Sequence, residues 1–172
     1  DHLRAELELS LTRLQVEQVE LYYIHRRAPE IEIEQVMETL LAFKAEGKIG
    51  GIGFSEISPA SLRRACAVGP VDAVQSEYSL WARYPDLGML QTCAELDVTF
   101  VPFSPLGRGI FALNTPDPAT FKDGDFRKGT PRFTEPNFGY NVARVQVFKT
   151  LAKELGTHPV TLAIAWCLNR GP

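Results

Sequence analysis

The chain has 172 residues, 45% of them apolar, 23% charged and 10% aromatic, with 13 glycines and 12 prolines, the make-up of one soluble, core-forming domain. A formal net charge of -3 from 18 basic and 21 acidic residues argues against disorder, and with no recurring Lys/Arg stripe it argues against a nucleic-acid partner held by bulk charge. No apolar stretch approaches the roughly 20 residues of a bilayer span and no signal peptide precedes the first charged helix, so a cytosolic chain without a membrane partner is expected.

Leu3, Leu7, Leu11 and Leu14 recur at three- and four-residue steps and place one apolar stripe on a first helix. Val19 to Ile24 follows, β-branched and aromatic, and reads as a buried strand with a polar end at His25, Arg26 and Arg27. Ile33, Val36, Met37, Leu40, Leu41 and Lys44 fall at helical spacing, and Gly47 supplies a left-handed stop. A second strand is expected over Ile49 to Phe54. Ser58 and Pro59 are an N-cap and first-turn pair for a helix to about Val68. Val71 to Val74 reads as a third strand ending at Gln75, a helix is expected from about Asp86 to Leu96, and Val98 to Phe103 is the fourth strand, ending at Ser104. Gly107 to Asn137 is irregular, rich in Pro, Gly and Asp, and loops of that length in compact domains are functional or disordered. Helices are expected over about Asn141 to Leu155 and Pro159 to Asn169.

Strand and helix alternate four times, and the strands look apolar on both faces. Parallel βα units with helical crossovers produce that pattern. Cys66, Cys93 and Cys167 are widely spaced, odd in number and on predicted helices. They suit free, buried or half-buried thiols better than a disulfide framework or a zinc site. No metal site is expected, since His2, His25 and His158 are scattered.

In parallel α/β folds ligands bind beyond the carboxyl ends of the strands. Here those ends carry His25, Ser55 with Glu56, Gln75 with Glu77, and Ser104. An imidazole at a strand end can orient a carbonyl or move a proton, and Arg26 and Arg27 beside it read as solvated. The turn FSPLGRG, Phe103 to Gly109, joins an aromatic ring, a hydroxyl and an arginine in a glycine-rich turn whose amides and guanidinium can hold a pyrophosphate. Neither GxGxxG nor GxxxxGK[ST] occurs, so a Rossmann or P-loop site has no support.

Taken together, LYYIHR (Leu21 to Arg26), IGGIGFSE (Ile49 to Glu56), VQSEYSLW (Val74 to Trp81) and VPFSPLGRG (Val101 to Gly109) resemble the aldo-keto reductases. More narrowly they are similar to the branch that includes pyridoxal reductases and plant auxin-induced relatives. DFRKGTPRF (Asp125 to Phe133), NFGYN (Asn137 to Asn141) and the AIAWCLNRG ending are similar to that branch too, so the resemblance covers essentially the whole chain.

The resemblance implies a (β/α)8 TIM barrel, here incomplete and spanning about strands 4 to 7 with their helices, so that residues 1–172 form a partial barrel domain. It implies NADPH as cofactor and hydride transfer to a small aldehyde or ketone. The family's carbonyl-orienting histidine falls on His25. Its nicotinamide carboxamide partners fall on Ser55, Glu56 and Gln75, with Glu56 where many relatives carry Asn. The ring that stacks on the nicotinamide falls on Phe103, where Tyr is commoner, and the pyrophosphate loop falls on Ser104, Leu106, Gly107 and Arg108.

The family's catalytic Tyr, with the Lys and Asp that tune it, has no counterpart here, and Tyr22, Tyr23, Tyr78, Tyr84 and Tyr140 lie in other motifs. The chain opens inside a helix and stops just after one. The expectation is therefore the middle of a longer reductase, inactive as an isolated chain. Two alternatives stand beside it: a non-catalytic, cofactor-binding regulatory subunit of the same superfamily, like the potassium-channel β subunits, and a small open α/β domain or truncated product in its own right.

Overall fold

A computed structural model describes residues 2–170 and places six helices and four strands among them. In chain order these are α1 (His2–Leu14), β1 (Val19–Ile24), α2 (Ile33–Ala45), β2 (Ile49–Ser55), α3 (Pro59–Val68), β3 (Ala73–Glu77), α4 (Met89–Leu96), β4 (Thr99–Phe103), α5 (Asn137–Glu154) and α6 (Pro159–Leu168). The strands form one sheet in the order β1-β2-β3-β4. The β1–β2 and β2–β3 pairs are parallel, so the alternation read from the sequence is a run of βα units.

The chain divides into two compact units. The first comprises residues 2–76 with Pro85–Val101, the second Glu77–Tyr84 with residues 102–170.

In the first unit the helices bury Leu7 and Leu11 of α1, Ile33, Val36, Met37, Leu40 and Phe43 of α2, and Leu62 of α3, whereas Leu14, expected on the α1 stripe, is exposed. Gly47, at φ 73, turns the chain out of α2, and its N–H donates to the Lys44 carbonyl at 3.0 Å, satisfying one of the last carbonyls of the helix. Ser58 Oγ accepts from the Ser61 N–H at 3.1 Å and Pro59 opens α3. The glycines of β2 make room for its neighbour: a Cβ on Gly53 would lie 2.6 Å from the ring of Tyr23, its partner in register on β1.

Four expectations are corrected. The first strand is not buried on both faces, since Glu20 and Leu21 are exposed and only Ile24 is buried. It is an outer strand of this sheet with a single strand neighbour. The third strand runs Ala73–Glu77, so Gln75 lies within it, held there by pairing with β2. The helix expected from Asp86 is a 3-10 turn (Tyr84–Leu87) followed by α4, because Gly88 at φ 125 interrupts right-handed helix. Finally, α5 starts four residues earlier than predicted. Asn137, Gly139 and Asn141 are weak helix formers, but the Asn137 and Asn141 side chains donate to the carbonyls of Pro131 (3.1 Å) and Arg132 (2.9 Å) and fix that first turn.

The second unit has its own core of Ile110, Phe111, Phe121, Phe133, Val145 and Ala163. Phe111 meets Trp81 and Phe148 edge-on at 6.0 and 5.1 Å between centroids, and Phe121 meets Phe133 at 5.6 Å, an arrangement that aromatic quadrupoles favour. The irregular stretch before α5 is ordered by 3-10 turns at Pro118–Thr120, Phe126–Gly129 and Pro131–Phe133. Asp117 and Asp125 cap the first two, accepting from the amides of Ala119 at 2.9 Å and Arg127 at 3.0 Å. The cysteines are free, Cys93 and Cys167 buried and Cys66 half-buried. No helix among the described residues is long and apolar enough to cross a membrane.

Candidate active site

The sheet register decides what meets at the strand ends of the first unit. Ile24 pairs with Phe54 and Phe54 with Val74, so the three strands reach one level together, and one residue on Ser55 pairs with Gln75. His25 follows Ile24 directly. Ser55 is buried (3% exposed), Gln75 is half-buried, and His25 is exposed.

Glu56 leaves β2 with φ 56, and its N–H donates to the Gln75 carbonyl at 2.9 Å, which extends the β2–β3 pairing by one residue. Asn enters the left-handed region more easily than Glu does, so this backbone suits the Asn that the family resemblance implies here. The Glu56 side chain is exposed.

Arg26, read from the sequence as solvated, reaches this rim. Its Nη1 donates to Ser55 Oγ at 2.9 Å and to the His25 carbonyl at 2.6 Å. Its position beside a strand-end histidine was the available signal. His25 and Arg26 also line a groove of about 680 Å³ with Tyr22, Tyr23 and Glu6. Burial pushes both phenols above the ordinary tyrosine value, and Glu6 adds to the effect at Tyr22. That direction disfavours ionisation and is opposite to the tuning a lysine gives a catalytic tyrosine.

The second unit holds the other candidate set. The Tyr78 N–H donates to the Phe103 carbonyl at 3.2 Å and links the ends of β3 and β4. Ser104, Gly107, Arg108 and Gly109 all have positive φ, at 52, 57, 61 and 95. Glycine is favoured at 107, where a Cβ would lie 3.0 Å from side-chain atoms of Ile110 and Phe111 on a left-handed backbone.

The turn is closed by its own amides. Gly107 N–H donates to the Ser104 carbonyl at 2.9 Å, and the amides of Gly109 and Phe111 donate to the Leu106 carbonyl at 3.1 and 3.2 Å. The Gly107 and Gly109 amides thus already have acceptors inside the turn, which shifts its anion-binding capacity toward the guanidinium. Leu106 packs on the apolar core.

Arg108 is held firmly. Its Nη2 and Nε donate to the two Glu77 oxygens at 2.7 and 3.3 Å, a bidentate geometry, and its guanidinium lies 5.6 Å from the Phe103 ring centroid and 4.9 Å from that of Phe126. Ser104, Arg108, Asp125, Phe126 and Arg127 line an open pocket of about 500 Å³. Arg127 pairs with Asp125 at 2.6 Å and its Nη1 donates to the Arg108 carbonyl at 3.4 Å.

Glu77 also accepts from Arg132 Nη1 at 2.8 Å. Burial pushes the Glu77 carboxyl up, but the hydrogen bonds from the two arginines outweigh it and hold it below the usual carboxylate range. Sequence reasoning missed Arg132, Phe126, Arg127 and the Glu77 pairings, and no spacing would have revealed contacts made by an irregular loop. Among the described residues no group of three or more His, Cys, Asp or Glu gathers as a metal site would require.

Parallel βα units, with polar side chains at their carboxyl ends and an arginine-bearing turn after β4, define an α/β protein. The chain belongs to the Aldo/keto reductase family, whose sequence profile matches residues 1–172. It is 40% identical over 174 residues to the aldo-keto reductase yakc (NADP(+)) of Schizosaccharomyces pombe, covering 99% of this chain and 51% of that protein. In structure it is similar to the glycerol dehydrogenase of Gluconobacter oxydans, with a TM-score of 0.91 at 29% identity over 99% of this chain and 52% of that one. A thermostable aldo-keto reductase solved with the inhibitor epalrestat matches with a TM-score of 0.73 at 26% identity, over 98% of this chain and 52% of the other. The α/β fold with its parallel four-stranded sheet is thus that of aldo-keto reductase barrels, and the chain spans about half the length of these relatives.

Proposed function

We propose that the full-length protein to which these residues belong is a cytosolic, NADPH-dependent reductase of small aldehydes or ketones. The observation that carries this reading is the level alignment of three strand ends in the first unit, with Ser55 opposite Gln75 and His25 one residue beyond Ile24. The S. pombe relative's name adds the cofactor.

The donor set suits that cofactor. Ser55 and Gln75 offer a hydroxyl and an amide to a carboxamide, which both donates and accepts, while Glu56, whose side chain is exposed, is the least well placed of the three. Phe103 offers a ring face for stacking. In the second unit Arg108, Arg127 and Ser104 line a pocket suited to phosphate oxygens. When bound, NADPH supplies a hydride.

His25 holds the substrate carbonyl oxygen by an imidazole hydrogen bond, which stabilises the negative charge that develops there. Proton delivery falls to the Tyr, Lys and Asp that the family resemblance calls for, and the full-length protein would supply them.

The test uses the full-length protein. Quenching of its fluorescence by NADPH and consumption of NADPH with an aldehyde are both expected. His25→Ala should lower kcat by about two orders of magnitude while changing the NADPH Kd by less than about threefold. Cofactor binding with no turnover on a panel of aldehydes and ketones would favour a regulatory subunit instead. An unchanged kcat in H25A would remove His25 from the chemistry.

A further inference from the structure

We infer that Glu77 is a positioning residue for cofactor binding: it fixes the guanidinium of Arg108 at the pocket beside β4 and, through Arg132, fastens the loop that walls that pocket. The inference rests on the reading above, in which Arg108 meets the cofactor's pyrophosphate.

Glu77 ends β3 and is only 17% exposed at its side chain. One of its oxygens faces Arg108 Nη2 at 2.7 Å, and the other takes Arg132 Nη1 at 2.8 Å together with Arg108 Nε at 3.3 Å. A single carboxylate therefore sets the plane of one guanidinium and separates it from a second. Without it two like charges would stand close together in a half-buried place, and each would swing away.

The Arg132 end of the clamp continues into the fold. Its residue lies in the 3-10 turn Pro131–Phe133, and its carbonyl accepts from Asn141 in the first turns of α5. The Arg108 end continues through Phe126, whose ring faces the same guanidinium and lines the pocket. The carboxylate thus ties the strand end, the anion-binding arginine and the far side of the loop into one arrangement.

Simple electrostatics predicts the opposite outcome for removing it. A negative charge beside a phosphate site repels the ligand, so its deletion should tighten binding if Glu77 acts only as a charge. If Glu77 positions Arg108, its deletion should weaken binding despite the more positive field.

The experiment measures NADPH Kd and saturating kcat on the full-length protein for Glu77→Gln, Glu77→Asp, Arg108→Leu and the double variant E77Q/R108L. Loss of an oriented, charge-assisted hydrogen bond should raise the Kd of E77Q and of R108L by about tenfold each. The double variant should be no weaker than R108L alone, because Glu77 acts through Arg108. E77D, which keeps the charge on a shorter arm, should lie between wild type and E77Q, and kcat at saturating NADPH should stay within about twofold. If E77Q does not fold, E77D alone and combined with R108L provides the same comparison.

Unchanged or tighter NADPH binding in E77Q, or losses that add in the double variant, would overturn the positioning role while leaving Arg108 as a cofactor contact. An R108L variant with normal NADPH affinity would overturn that contact itself, and with it the inference.

Discussion

The guanidinium of Arg26 donates to the hydroxyl of Ser55 at 2.9 Å, tying the residue two beyond β1 to the one that ends β2. A hydroxyl that accepts from a guanidinium still has its own proton to donate. The contact therefore orients Ser55 as a donor at the rim shared with Gln75.

Ser55→Ala removes that donor and leaves the Arg26 contact unmade. Since Ser55 is buried, stability in urea should fall by about 1 kcal/mol, and in the full-length protein the NADPH Kd should rise about three- to tenfold. Equilibrium unfolding and fluorescence titration read the two effects separately. A cofactor affinity equal to wild type would take Ser55 out of the proposed carboxamide site.

Phe103 presents its ring to the Arg108 guanidinium, 5.6 Å from the centroid, as well as being the proposed nicotinamide stacking surface. Phe103→Ala should weaken NADPH binding by about 1 kcal/mol, the scale of an aromatic contact, whereas Phe103→Tyr should bind as wild type because stacking uses the ring face. Titration of both variants checks the pair. An F103A protein with unaltered affinity would sink the stacking role.

The strand ends were legible in the sequence because a parallel sheet places its functional residues by one rule: a largely apolar run that stops at His25, or at Ser55, marks both the strand and the rim. Ser58 with Pro59 and the left-handed Gly47 were legible for the same local reason, each being a residue type with one favoured place in a helix boundary. The Glu77–Arg132 contact was not, since it spans 55 positions and depends on how an irregular loop folds.

Glu46, the residue that closes α2, carries the clearest pH dependence in the first unit. Arg4 of α1 donates to both of its oxygens, at 2.7 and 2.6 Å. That hydrogen bonding, with a further contribution from Lys48, outweighs desolvation and takes the carboxyl from the ordinary 4.5 to about 2. A carboxyl whose folded value is depressed adds stability that is complete above its unfolded value and is lost as the pH falls through the folded one. The window here is therefore about pH 4.5 down to about pH 2.

Because the pair is exposed and screened by solvent, the effect should be small and should shrink further in salt. Glu46→Gln should lower the urea midpoint near neutral pH, and its deficit relative to wild type should close steadily below the carboxylate range as the wild-type carboxyl protonates. Urea titrations of both proteins at a series of pH values measure this directly. A deficit that stays constant through the acid window would mean that the Arg4 contact does not distinguish the charged from the neutral carboxyl.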